Sequence, residues 1–420
     1  MENFKKGAWI IILGGLALRL ILSAISFHPD LQAYDFAGWV ISQGNILNFY
    51  DYLYNLPLGS SVLSHYPPIL FNYPPATYFL LGTSSIIFTI LTPAHIHEGF
   101  LFNISNSLGN FQLNMHLLYL KIPYLIFDFL ALYFFVKLFE GKREKMYALI
   151  FWVLNPVSLY ASYLIGQHDI IPTFFVILAL YFIKKNSKNS LVFASLALGF
   201  GAVFKIYPLL LLPVVFALAP NIKQRILVLM CGIVPYILLV IPFINSKGFR
   251  TNALVASQTT KSLYAQIPIS GGEAIILFIV VLFFFYLLFM NIKIVKDLVW
   301  QRFFIVVLIF FVFTHYHPQW FLLLTPFLII EIIKSNFKNI WALTLSLFSF
   351  SGLLFFFDPS LTLGLFAPIY PDLIKTPSLW EFLRINMDYN FARSVLQTIF
   401  VSAAAYYIYQ YFPKKEFKGV

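Results

Sequence analysis

The sequence predicts an all-α polytopic integral membrane protein, and three observations predict it. The chain is 60% hydrophobic and only 11% charged, against about 25% charged in soluble domains. Apolar runs recur from end to end, and about 20 apolar residues in a helix span a bilayer. No polar stretch between the runs is long enough to bury a core of its own, so residues 1–420 read as a single transmembrane domain. The formal net charge of +11 does not point to nucleic acid. The basic residues sit in short clusters between apolar runs, which is the positive-inside pattern. The single cysteine, Cys231, lies in an apolar run and allows no disulfide within the chain.

The first run, 7–27, follows MENFKK and lacks a small-residue cleavage site, so it reads as an uncleaved span with Lys5 and Lys6 inside. Between Arg19 and Lys121 there is no Lys or Arg, so nothing there reads as cytoplasmic. This region, 28–114, opens with a large first outer loop that holds Asp30, Asp35 and Asp51 and ends in a Tyr-Pro-Pro step. It also contains an apolar run at 74–92. If that run crossed, the basic cluster GKREK at 141–145 would fall outside. It is therefore expected to be a re-entrant or interfacial helix, as Gly82, Thr83, Ser84 and Ser85 in its middle suit poorly a lipid-facing span.

The remaining runs alternate. A span at 116–139 leads in to GKREK, 146–165 leads out to GQHD at 166–169, and 170–183 returns to KKNSK. Runs 190–204 and 206–219 meet at Lys205 and end at NIKQR inside. Span 226–243 leads to an outer loop at 244–273, and 274–292 returns to Lys293 and Lys296. Span 302–316 rises to HYHPQW, 319–333 descends to Lys334 and Lys338, 340–357 reaches a further outer loop at 358–390, and 392–412 ends in PKKEFK. The sum is about 12 spans plus the non-crossing helix, with both termini cytoplasmic.

The chemistry-bearing residues gather on the outer side. Asp30 and Asp35 lie beside the membrane in an aromatic segment, with Tyr34 between them as a substrate contact. A carboxylate against apolar surface can titrate high and act as a general base; the plainer reading is a helix cap. Asp30 is read as the group that does chemistry. The step FNYPPATYF at 71–79 starts a helix and places Asn72 and Tyr73 in the site. Lys121 and Asp128 share a helix face two turns apart. Asp128, in mid-membrane, reads as functional or as a structural hydrogen-bonding group, while Lys121 is expected to snorkel outward towards a lipid phosphate. Gln167, His168 and Asp169 form a polar tip at the outer surface, suited to a hydroxylated substrate or simply to a helical turn. Lys205, at the junction of two half-helices near Pro208, suits an anionic ligand; the plainer reading is snorkelling. His315, His317 and Gln319 lack a Cys partner and a metal-motif spacing, so they read as phosphate or sugar contacts. Arg19 and a Glu331–Lys334 pair read as structural. There is no phosphate-binding glycine loop and no cytosolic domain for a nucleotide sugar, which favours a lipid-borne donor.

The order of these motifs resembles the GT-C glycosyltransferases, which use polyprenyl-phosphate sugars. PDLQAYDFAGW followed by NYPPATYFLLG looks like the first outer loop of the dolichyl-phosphate-glucose glucosyltransferases. LNPVSLYASYLIGQHD followed by AVFKIYPLLLLP is similar to the GPI mannosyltransferase that adds the first mannose, and HPQWFLLLTPFL to a late outer-face motif of these enzymes. The resemblance covers roughly residues 7–335. It implies a GT-C-like bundle and an inverting transfer of a hexose, mannose-like before glucose or a pentose, to a glycan or lipid-linked acceptor. Asp30 matches the family's catalytic Asp, and Asp35 stands as the second acid, five residues on rather than two. Lys205, His317 and Lys121 would stabilise the leaving lipid phosphate. No resident cofactor is implied, and no residue pattern supports a divalent metal. A multi-pass integral membrane protein with an extracytoplasmic site is expected, in the cell membrane if the source is prokaryotic. The competing class is a transporter or flippase for a lipid-linked or anionic substrate. Such proteins show repeats around midplane charges, whereas here no repeat is visible and the polar groups share one face.

Overall fold

The computed structural model describes residues 2–254, 260–292, 295–315 and 317–413. Lys293, Tyr316 and the lysines of PKKEFK lie outside the described residues, as does the Lys5 side chain. The chain is helical almost throughout, as expected. The described exception to the all-α reading is a short antiparallel hairpin, Gln266–Pro268 at the end of the 244–273 loop paired with Ala274–Ile276, which takes the first residues of the expected 274–292 span.

Three described helical runs are long and apolar enough to cross a bilayer alone: Lys6–Ile25, Lys142–Leu164 and Ile222–Phe243. The expected span at 116–139 is two helices, Phe111–Leu120 and Ile122–Val136, bent by 44°. Pro123 in the first turn of the second half suits a helix start, and Lys121 occupies the break. Shorter apolar helices include Ser190–Ala202, Tyr207–Leu218, Leu277–Asn291 and Ile340–Phe355. Helix length alone therefore marks up to four spans among the described residues, and a count near 12 requires short helices to cross in series.

Packing follows the charges as well as the apolar faces. The Asp128 carboxylate accepts hydrogen bonds from Arg19 Nε, Trp152 Nε1 and Tyr163 Oη, each at 2.7 Å, with all four residues buried. Arg19 Nη1 also donates to the Val153 carbonyl at 2.8 Å. Asp128 is thus a structural tie between three helical segments. Lys121 corrects the snorkelling expectation. Its ammonium is fully buried and donates to the carbonyls of Ser23, Ser26 and Tyr163 at 3.1, 2.8 and 2.8 Å. The orphan carbonyls at the end of the first helix attract a cation more strongly than the interface does. The expected Glu331–Lys334 pair is not formed. Glu331 accepts from Asn339 and Tyr411, while Lys334 reaches Glu144 at 3.1 Å.

The helix Pro75–Thr89 has 15 residues, about 22 Å at the usual rise, against about 30 Å for a bilayer core. It packs across the helix Pro29–Ser42. At the crossing a Cβ on Gly38 would stand 2.7 Å from the Gly82 carbonyl oxygen. The two backbones therefore touch, and this contact fixes the height of the helix that carries Asp30.

Candidate active site

Asp30 lies in the first turn of Pro29–Ser42, immediately after the first span. Pro29 pre-sets the first helical dihedral. His28 caps the helix, its Nδ1 accepting from the Asp30 backbone N–H at 3.2 Å. Burial lowers the His28 pKa and keeps the ring a neutral acceptor. The Asp30 side chain is 42% exposed and accepts from the Gln167 amide. Tyr34, one turn along the same helix face, donates to Gln167 Oε1 at 3.3 Å and meets His168 Nδ1 at 2.9 Å.

The GQHD turn is not at the outer surface. Gln167, His168 and Asp169 are each fully buried. Gly166 has φ 78°, and a Cβ there would meet Leu31 at 2.7 Å, so the turn is pressed directly onto the Asp30 helix. A polar turn between two apolar runs reads as a surface tip; here it faces a second polar layer instead.

Asp169 opens the helix Ile170–Lys185, and Lys205 follows the end of Ser190–Ala202; these helices pack side by side. Lys205 Nζ meets both Asp169 oxygens, at 2.7 and 2.8 Å, and is only 8% exposed. Burial pushes the Asp169 pKa up; Lys205 pulls it back, and the Asp30 charge adds to the upward push. Lys205 also lies over the Tyr73 ring, 5.1 Å from its centroid, and Tyr73 packs on His168 at 4.6 Å. The Tyr73 carbonyl accepts from Tyr50, and the Asn72 N–H donates to Tyr78, at 2.7 and 2.9 Å.

These groups head a cavity of about 520 Å³. Asn72, Tyr73, Asp169 and Lys205 line its polar end, and Leu210, Phe278, Leu282, Phe310 and Trp320 are among the apolar residues of its body. Near it, His317 stands 3.4 Å from Lys261 Nζ. Burial, then the charges of Lys261, His315, Lys205 and Arg393, hold the His317 pKa down to about 3, so the neutral ring sits in a field of cations. Gln319 is buried and its Oε1 has no hydrogen-bond partner among the described residues.

The structure therefore joins Asp30, Tyr34, Asn72, Tyr73, Gln167, His168, Asp169 and Lys205 into one polar layer, with His317 close to Lys205. It leaves out Lys121, consumed by carbonyls, and Asp35. Five residues along a helix turn about 140° away, and Asp35 is fully buried on that other side against His97 and His116. Lys261 and Arg393 were not legible as site residues, since each is a lone cation in a loop or at a helix start.

The site is thus a helical bundle enclosing an apolar cavity, with a buried cation at its head and a half-exposed carboxylate alongside. Residues 164–266 match the family model of the mannosyltransferases, Mannosyltransferase (PIG-M), and the match indicates that the chain is a glycosyltransferase. The matched segment contains Gln167, His168, Asp169, Lys205 and Lys261. No curated protein matches the chain.

Proposed function

We infer that the protein transfers a mannose-like hexose from a polyprenyl-phosphate carrier to an acceptor hydroxyl on the extracytoplasmic face. The observation that carries this reading is the cavity with Lys205 at its polar head and apolar side chains along its body. A polyprenyl chain fits the body, and Lys205 and Lys261 with the neutral His317 face the phosphate. Asp30 is the general base. It takes the proton from the acceptor hydroxyl as that oxygen attacks the anomeric carbon, and the carbon–oxygen bond to the lipid phosphate breaks. Attack opposite the leaving group inverts the anomeric centre. Gln167 and Tyr34 orient Asp30 and its surroundings, and the cations meet the charge that develops on the leaving phosphate.

The test offers radiolabelled mannose to membranes containing the protein, either on polyprenyl phosphate or as a nucleotide sugar without lipid carrier, with a lipid extract as acceptor. Labelling from the lipid donor alone supports the reading. Equal labelling from the nucleotide sugar contradicts it.

A further inference from the structure

The back of the Asp30 helix carries a second cluster that the transfer reaction does not use. Asp35 Oδ2 lies 3.1 Å from His116 Nε2 and 3.1 Å from His97 Nε2. One ligand atom from each of the three residues lies within 4.8 Å of the other two. Asp35 and His116 are fully buried, and His97 is 17% exposed at its side chain. They come from three separate helices, Pro29–Ser42, Ala94–Phe102 and Phe111–Leu120.

The groups around them hold this arrangement. Ser85 donates to the other Asp35 oxygen. Thr92 Oγ1 engages His116 Nδ1 at 3.0 Å, and Phe100 packs edge-on against the His116 ring at 5.0 Å. A metal-bound histidine ordinarily has its second nitrogen tied in this way. The His97 Nε2 atom is buried and has no hydrogen-bond partner among the described residues. It stands 3.1 Å from the same Asp35 oxygen that His116 meets.

We propose that Asp35, His97 and His116 form a divalent transition-metal site, for Zn²⁺ in the first instance, that pins the Asp30 helix to Ala94–Phe102 and Phe111–Leu120. Two imidazole nitrogens and one carboxylate oxygen match the borderline-soft preference of zinc, whose ligands stand at about 2.0–2.2 Å. Tetrahedral ligands at that distance stand about 3.3–3.5 Å apart, close to the two 3.1 Å separations here. The cation compensates a carboxylate that is otherwise buried away from water. Its role is to position the helix, since Asp35 faces away from the cavity.

The experiment uses the full chain, purified in detergent through a tag free of histidine. Metal content is measured by mass spectrometry, and thermal unfolding is followed before chelation, after chelation and after Zn²⁺ is returned. About one zinc per chain is expected, with unfolding that drops on chelation and recovers with Zn²⁺; His97→Ala and His116→Ala should bind at least about tenfold more weakly. Apo protein loaded with Co²⁺ should show visible absorption bands that the variants lack. Monodisperse wild type that neither carries nor takes up zinc, and whose unfolding ignores Zn²⁺, overturns the proposal and leaves a hydrogen-bonded Asp–His cluster. Because wild type alone decides this, variants that fail to fold do not obscure the result, and transfer activity plays no part in it.

Discussion

At the scale of single residues, the decisive interaction is between Lys205 and Asp169. An ammonium has three donors, and Asp169 takes up those that meet its two oxygens at 2.7 and 2.8 Å. The cavity side of Lys205 is left for a ligand. A buried pair of this kind adds little net stability, so its place at the head of the cavity points to a role in the site rather than in folding. Lys205→Met is predicted to lower kcat/KM for the lipid-phosphate donor by about 10²–10³, read from initial rates against donor concentration. Asp169 would be left unpaired, so Lys205→Met/Asp169→Asn serves as a control: it should fold and remain inactive. Wild-type rates in that double variant would remove Lys205 from the reaction.

At the scale of elements, Asp128 shows how the bundle is tied. It joins Arg19, Trp152 and Tyr163 in one buried network. Asp128→Ala leaves the Arg19 charge buried without its partner and should destabilise by about 3–5 kcal/mol. Apparent melting of the purified protein measures this, and Asp128→Asn, which keeps an acceptor for Trp152, should lose less. Unchanged melting of the alanine variant would show that Arg19 finds compensation elsewhere. The helices themselves were legible in the sequence because long apolar runs leave the backbone few options. The break at Lys205 was legible because a cation and Pro208 interrupt such a run. The destinations of Lys121 and GQHD were not. Whether a polar side chain turns to water or to another polar layer depends on which helices pack against it, and periodicity within one segment does not carry that. Asp35 misled for a related reason: its closeness to Asp30 in sequence hides the helical rotation that separates them, and its partners His97 and His116 lie far along the chain.

At the scale of the whole molecule, sidedness decides whether the polar groups can meet one substrate. The region 28–114 and the turns at 166–169 and 315–320 must face one side, and that holds only if Pro75–Thr89 does not cross. The single native cysteine makes this testable. In a Cys231→Ala background, Leu58→Cys, fully exposed in the first outer loop, should react with an impermeant maleimide in intact cells. Lys142→Cys, at an exposed position within the basic cluster, should react only after permeabilisation. Labelling of both positions in intact cells would mean that the short helix crosses and the topology must be redrawn.

The proposed role of Asp30 as the base of a lipid-phosphate-dependent glycosyl transfer is tested by sugar transfer from Asp30→Asn at matched protein level. The amide still fits beside Gln167 but cannot take a proton, so the product should fall by about 10²–10⁴ with melting unchanged. Transfer at the wild-type rate would contradict that role and place the base elsewhere.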